Sequence, residues 1–206
     1  MSEKPLVTTE SLSSYFRELL EEAMRRQRAP LNQVTEFYLV DLLSRFSDAE
    51  ALYARGADGT MEEEPLAFQL QRALEGATRE ERIAALRKLG DGSLYVAGFF
   101  GDSLANRLVD VDYYIGMGGA AYGTLAKMTR SRPATGAFVD LYEELGSKFA
   151  TIVDLFSEVS ERVAVTTNKG VVRLYERWVK TGSDRLMRLL LEQGVLPAFH
   201  KPGTVQ

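Results

Sequence analysis

Apolar residues recur at three- and four-residue intervals along almost the whole chain, and no run of alternating β-branched residues resembles a strand. The pattern is longest where Phe138, Leu141, Leu145, Phe149, Ile152, Phe156, Val159 and Val163 follow one another in steps of three and four. Such a series paints one stripe on a helix. It is heptad-like, with one extra step of four at Gly146, the position of a stutter. The spacing predicts one long helix near residues 135–164, about 45 Å from end to end.

Shorter segments repeat the pattern. Leu12, Tyr15, Phe16, Leu19, Leu20, Ala23 and Met24 share a helical face, with Thr8 or Thr9 to cap its start and Pro30 beyond its end. A second helix is expected from about Asn32 into the Ser47 region, with Val34, Phe37, Tyr38 and Leu42 inward. Arg55-Gly56-Ala57-Asp58-Gly59-Thr60 reads as a loop, and Glu62-Glu63-Glu64 with Pro65 suits the first turn of a short helix. Thr78-Arg79-Glu80-Glu81 has the form of a capping box and starts a helix carrying Ile83, Leu86 and Leu89. Gly90-Asp91-Gly92 is expected to stop or kink it. Two helices are expected between Ser93 and Met128, parted near Gly101 or Leu108. Arg130-Ser131-Arg132-Pro133 reads as a loop. Two more follow, one over about Lys169 to Lys180 and one capped by Ser183 and ended by Gly194. Val163-Ala164-Val165-Thr166-Thr167 is the nearest thing to a strand, and it is short. The fold class is therefore all-α: a single-domain bundle of about eight helices over residues 9–196, between a flexible start at 1–8 and a flexible tail at 197–206.

Composition excludes whole classes of chemistry. With no cysteine among 206 residues, disulfides, thiolate metal sites and cysteine nucleophiles are out. The single histidine, His200, falls in the terminal tail, so a Ser-His-Asp triad and His-rich zinc sites are not expected. No phosphate-loop signature, dinucleotide fingerprint or nucleophile elbow is present. The net charge of −4 argues against nucleic acid as a partner. The first ten residues contain no apolar core, and the longest uncharged stretch, Tyr113 to Ala126, has 14 residues where a membrane span needs about 20. A cytoplasmic location, no membrane and no cofactor are the expectations.

Three constellations remain. Gly116, Gly118, Gly119 and Gly123 lie within an expected buried helix, where each glycine costs about 1 kcal/mol against alanine. Either a second backbone approaches closely, or an apolar or aromatic small molecule lies against that face. The pocket reading assigns Tyr95, Phe99, Tyr113, Tyr114, Met117, Gly119, Tyr122 and Gly123 to ligand binding.

The second constellation is Asp102, Asn106 and Asp110, spaced so that an unbroken helix would project all three from one face. Three oxygen ligands in a row suit a Mg²⁺ that also binds diphosphate. All-helical isoprenoid-diphosphate enzymes use ladders of this spacing, and Tyr95-Val96-Ala97-Gly98 resembles a stretch of the squalene and phytoene synthase group. Their second, facing carboxylate motif with adjacent basic residues has no clear counterpart here. The other reading of these acids is capping at Asp102, with surface or ion-paired carboxylates at Asp110 and Asp112.

The third is a basic stripe of Lys169, Arg173, Arg177 and Lys180 on one helix face. It suits an anion or an acidic protein surface, unless it is a solvated outer face with Trp178 packed on the inner one. The first 103 residues carry a charge of −6 and the remainder +2, a polarity that suits docking of one copy on another. The leading expectation is a non-enzymatic regulatory or adaptor module that works through helix–helix contacts and self-associates. A small-molecule pocket and a Mg-dependent diphosphate enzyme are the alternatives.

Overall fold

The computed structural model describes residues 9–53, 66–76, 78–104, 110–130, 136–165 and 168–195. Among them are nine helices and no strand: α1 (Thr9–Gln27), α2 (Gln33–Tyr53), α3 (Leu66–Glu75), α4 (Arg79–Leu104), α5 (Val111–Thr129), α6 (Gly136–Ser147), α7 (Phe149–Val165), α8 (Asn168–Thr181) and α9 (Asp184–Glu192). The chain is all-α, as its periodicity requires.

Local chemistry sets several ends. The Asn32 side chain accepts the Thr35 amide at 2.8 Å and so caps α2. At the start of α4 the Thr78 hydroxyl accepts the Glu81 amide at 3.1 Å, while the Glu81 carboxylate accepts the Thr78 amide at 3.0 Å, a reciprocal capping box. Gly194, at φ 73°, turns the chain after α9, and the Val195 amide bonds back to the Leu190 carbonyl at 2.9 Å. The expected loop at 55–60, the acidic turn Glu62–Pro65, the 131–133 part of the expected loop and both terminal segments lie outside the described residues.

By its contacts the chain divides into two units, Met1–Ser157 and Glu158–Gln206, and α7 contributes residues to both. In the first unit α5 is central, packed most extensively against α4 on one side and α6 on the other. The hairpin α1–α2 closes the unit through Phe16, Leu20, Leu39, Leu42 and Leu43, all fully buried. The second unit has its own core of Leu174 and Trp178 from α8 with Leu186, Leu189 and Leu190 from α9.

Three expectations change, and the expected division of 93–128 into two helices holds. Gly90-Asp91-Gly92 neither stops nor kinks α4, which runs unbroken from Arg79 to Leu104, past Gly101 as well. Gly90 is there because the Tyr122 ring lies where its Cβ would be, at 2.7 Å. On α2, Leu42 is buried as expected, but Val34 and Phe37 face solvent rather than the core, and Thr35 and Leu39 are buried instead. Phe37 carries the Arg17 guanidinium over its ring at 4.8 Å. The region 93–128 forms two helices, α4 and α5, separated by the segment around Leu108. The long periodic segment is shared by α6 and α7, with Lys148 between them, two residues beyond Gly146. Helical spacing carries through the junction: the Lys148 amide bonds to Glu144 and the Ile152 amide to Lys148, each at 2.9 Å. From Leu141 to Val159 the seam is buried within the chain, and only its first member, Phe138, is exposed.

Candidate functional site

The glycines of α5 mark helix crossings. A Cβ on Gly118 would fall 2.2 Å from the Phe149 ring and 2.9 Å from the Ser93 Cβ. Gly119 and Gly123 lie against Gly146 of α6, whose added Cβ would sit 3.1 Å from the Gly123 nitrogen and 3.4 Å from the Gly119 carbonyl oxygen. On α4, Gly98 is filled in the same way by Phe156 at 2.3 Å. Gly116 and Gly123 are different in their own side-chain directions, since a Cβ on either would meet nothing within 4 Å.

The aromatic residues of the pocket reading fall into two groups. Tyr95 is buried and stacked between Phe46 of α2 and Phe99, with ring centroids 4.6 and 4.7 Å away. Tyr113 and Tyr114 meet edge to face at 6.1 Å near the start of α5, and they and Met117 are half-buried. Tyr122 belongs to neither group, because it is wholly enclosed and its hydroxyl is committed elsewhere.

That commitment is to Asp91, a residue the sequence suggested only as a helix breaker. The Tyr122 hydroxyl donates to Asp91 Oδ1 at 2.7 Å, and the Tyr38 hydroxyl from α2 donates to the same oxygen at 2.5 Å. Arg45, one face-repeat further along α2, places a guanidinium nitrogen 3.5 Å from Oδ2. Asp91 has a side chain only 6% exposed, whereas Arg45 is half-exposed and also holds Asp41 at 2.8 Å. Tyr142 of α6 stacks on the Tyr122 ring at 6.1 Å and meets the Tyr38 ring edge-on at 6.5 Å, while Arg87 hydrogen-bonds its hydroxyl. Burial pushes the Tyr38 and Tyr122 hydroxyls well above the ordinary tyrosine range, and the neighbouring Asp91 carboxylate adds to the effect. Three helices thus meet at one buried carboxylate, and α6 packs on its tyrosines. Tyr38, Asp91 and Tyr122 are 53 and 31 residues apart, so no short motif announces them.

Of the acidic ladder, only Asp110 has a described side chain. Asp110 has extended backbone angles (φ −91°, ψ 177°) and is the N-cap of α5, its carboxylate accepting the Tyr113 amide at 3.0 Å. Asp102 lies on α4, whose described residues end at Leu104, and Asp110 precedes α5. Asn106 and the Asp102 side chain lie outside the described set. Among the described residues no group of three or more Asp, Glu or His is arranged to hold a metal ion.

In the second unit, Arg177 is drawn inward from the basic stripe. It pairs with Glu161 at 3.3 Å, and Arg185 of α9 reaches the same carboxylate at 2.5 Å and Glu158 at 3.8 Å. Both glutamates are buried on α7. Lys180 is exposed, and the side chains of Lys169 and Arg173 are outside the described set. Trp178 is buried on the inner face of α8. The outer face carries two valines seven residues apart, Val172 and Val179, which are 57% and 61% exposed. A separate open groove of about 450 Å³ runs along the end of α1, lined by Glu21, Met24, Arg25, Arg28 and Pro30.

Comparison with known proteins finds no matching family model, no similar curated protein and no similar solved structure.

Proposed function

We propose that this protein is a non-enzymatic helical binding module, regulatory or adaptor in role, which holds a protein partner through the outer face of α8 and pairs there with a second copy of itself. The observation that carries this reading is the exposure of Val172 and Val179. A helix packed on one side presents polar residues on the other. The inner face of α8 is complete with Leu174 and Trp178, yet its outer face stacks two valines beside Lys180 and Glu176. Small apolar groups two turns apart are what a second helix needs for close side-by-side packing. Other features suited to helix contacts, the seam on α6 and α7 and the glycines Gly118 and Gly119, face neighbours within the chain. Sedimentation velocity between 5 and 200 µM (about the range in which a modest interface acts) tests it. The native chain dimerises across this range, and the variant Val172→Glu/Val179→Glu stays monomeric with an unchanged helical circular dichroism spectrum. A native chain that is monomeric throughout overturns the reading.

A pocket for an apolar or aromatic small molecule is the second reading. It is favoured by the half-buried Tyr113, Tyr114 and Met117 beside Gly116, whose face is open. Under it, an apolar dye such as a naphthalene sulfonate raises the melting temperature, and Gly116→Leu abolishes the shift.

A further inference from the structure

We infer that the Asp91 centre is a conformational selector: it fixes the rotation of α2 and α5 on α4 and contributes uniqueness of packing rather than stability. The argument starts from the sequences of the two helices. Around α2, Val34, Phe37, Tyr38, Leu39, Val40, Leu42, Leu43 and Phe46 point in every direction, so turning the helix by one residue exchanges one apolar set for another. Hydrophobic burial alone barely distinguishes those rotations, which is why the apolar pattern placed Val34 and Phe37 inward and the structure places them outward. The central part of α5, from Tyr113 to Ala126, is uncharged throughout and has the same ambiguity. A group that accepts partners in only one arrangement resolves it. Asp91 Oδ1 receives Tyr38 from α2 and Tyr122 from α5, and Oδ2 faces Arg45 from α2. Gly90 leaves the space that lets the Tyr122 ring reach that oxygen. Any other rotation would leave a buried carboxylate without donors, a costly state.

The same geometry explains why the centre contributes little net stability. Removing a carboxylate from water offsets most of what its hydrogen bonds return, and apolar replacements of buried polar sets are often neutral or stabilising. Here such a replacement strands no charge, because Arg45 is half-exposed and keeps Asp41. Tyr142 likewise keeps Arg87.

The test compares two variants of the full chain with the native protein. Asp91→Leu/Tyr38→Phe/Tyr122→Phe removes every polar group of the centre, and Asp91→Asn keeps an oxygen acceptor of the same shape. The triple variant is expected to keep the helical circular dichroism signal and a comparable denaturation midpoint. Its urea m value should fall, its amide NMR spectrum should lose dispersion, and its fluorescence with anilinonaphthalene sulfonate should rise several-fold. Asp91→Asn is expected to restore dispersion and to leave dye fluorescence at the native level. A triple variant with native dispersion, m value and dye response overturns the inference. So does a triple variant that loses its helical signal outright, since the centre would then be a source of stability. Collapse of Asp91→Asn into the same loosely packed state overturns it too, because the acceptor would not be what selects the packing.

Discussion

At the scale of single residues, the glycines separate into those that make room and those that do not. Gly118 sits where Phe149 fills the space of a side chain, so Gly118→Ala forces the ring to move and should cost about 1–3 kcal/mol. Gly116 is two residues away with open space around it, and Gly116→Ala should stabilise by about 0.4–1 kcal/mol by restricting the unfolded chain. Urea denaturation of the two variants checks both signs together. Four glycines in one helix show from sequence that something is unusual, but which of them touches a neighbour depends on the position of Phe149 and Gly146, which lie outside that helix. The tyrosines of the Asp91 centre give a second residue-scale prediction. Tyr38 and Tyr122 hold their protons more tightly in the fold than in an unfolded chain, where tyrosine titrates near pH 10. Their contribution is complete below that pH and is lost as the pH rises above it, because the unfolded chain then gains by ionising. Stability should therefore fall between about pH 10 and 11.5, and Tyr38→Phe or Tyr122→Phe should flatten the fall in denaturation curves taken across that range.

At the scale of elements, what was legible was local. The Thr78–Glu81 box reads directly from four adjacent residues, and both of its hydrogen bonds form. The apolar stripe of α1 and the end of α9 at Gly194 are also set by near neighbours, although Ser183 stands at the start of α9 without a side-chain capping bond. The misread elements have distant causes. Gly90-Asp91-Gly92 looks like a break because glycine weakens an isolated helix, yet Tyr122 packed over Gly90 and bonded to Asp91 keeps α4 whole. Burial of Thr35 in place of Val34 depends on how α2 is turned against its neighbours, which no window on α2 contains. Asp102, Asn106 and Asp110 have the right spacing for a ladder, but Asp110 serves as the cap of α5. This assignment has its own consequence. Asp110→Ala should lower stability by about 1 kcal/mol through loss of the bond to the Tyr113 amide. The melting temperature of Asp110→Ala should be the same with and without millimolar Mg²⁺, as should that of the native chain. A Mg²⁺-dependent rise in the native chain that Asp110→Ala removes would restore the metal reading.

At the scale of the whole molecule, two observations define the account. The seam and the glycine crossings, which from sequence alone look like equipment for binding another protein, are spent inside the chain on holding α4 to α7 together. The surface proposed above for a partner is the outer face of α8, where Val172 and Val179 are exposed on the side opposite Leu174 and Trp178; Phe68, Phe138 and Phe37 are also exposed elsewhere on the chain. No sequence window distinguishes these cases, because an internal helix contact and an external one require the same residues. Native mass spectrometry of the freshly purified chain, with a denaturing spectrum beside it, tests the central claim most directly. The account predicts a dimer whose mass is twice that of the 23.0 kDa chain and carries nothing that denaturation removes. A chain found only as a monomer, or one carrying extra mass that is lost on denaturation, would contradict it.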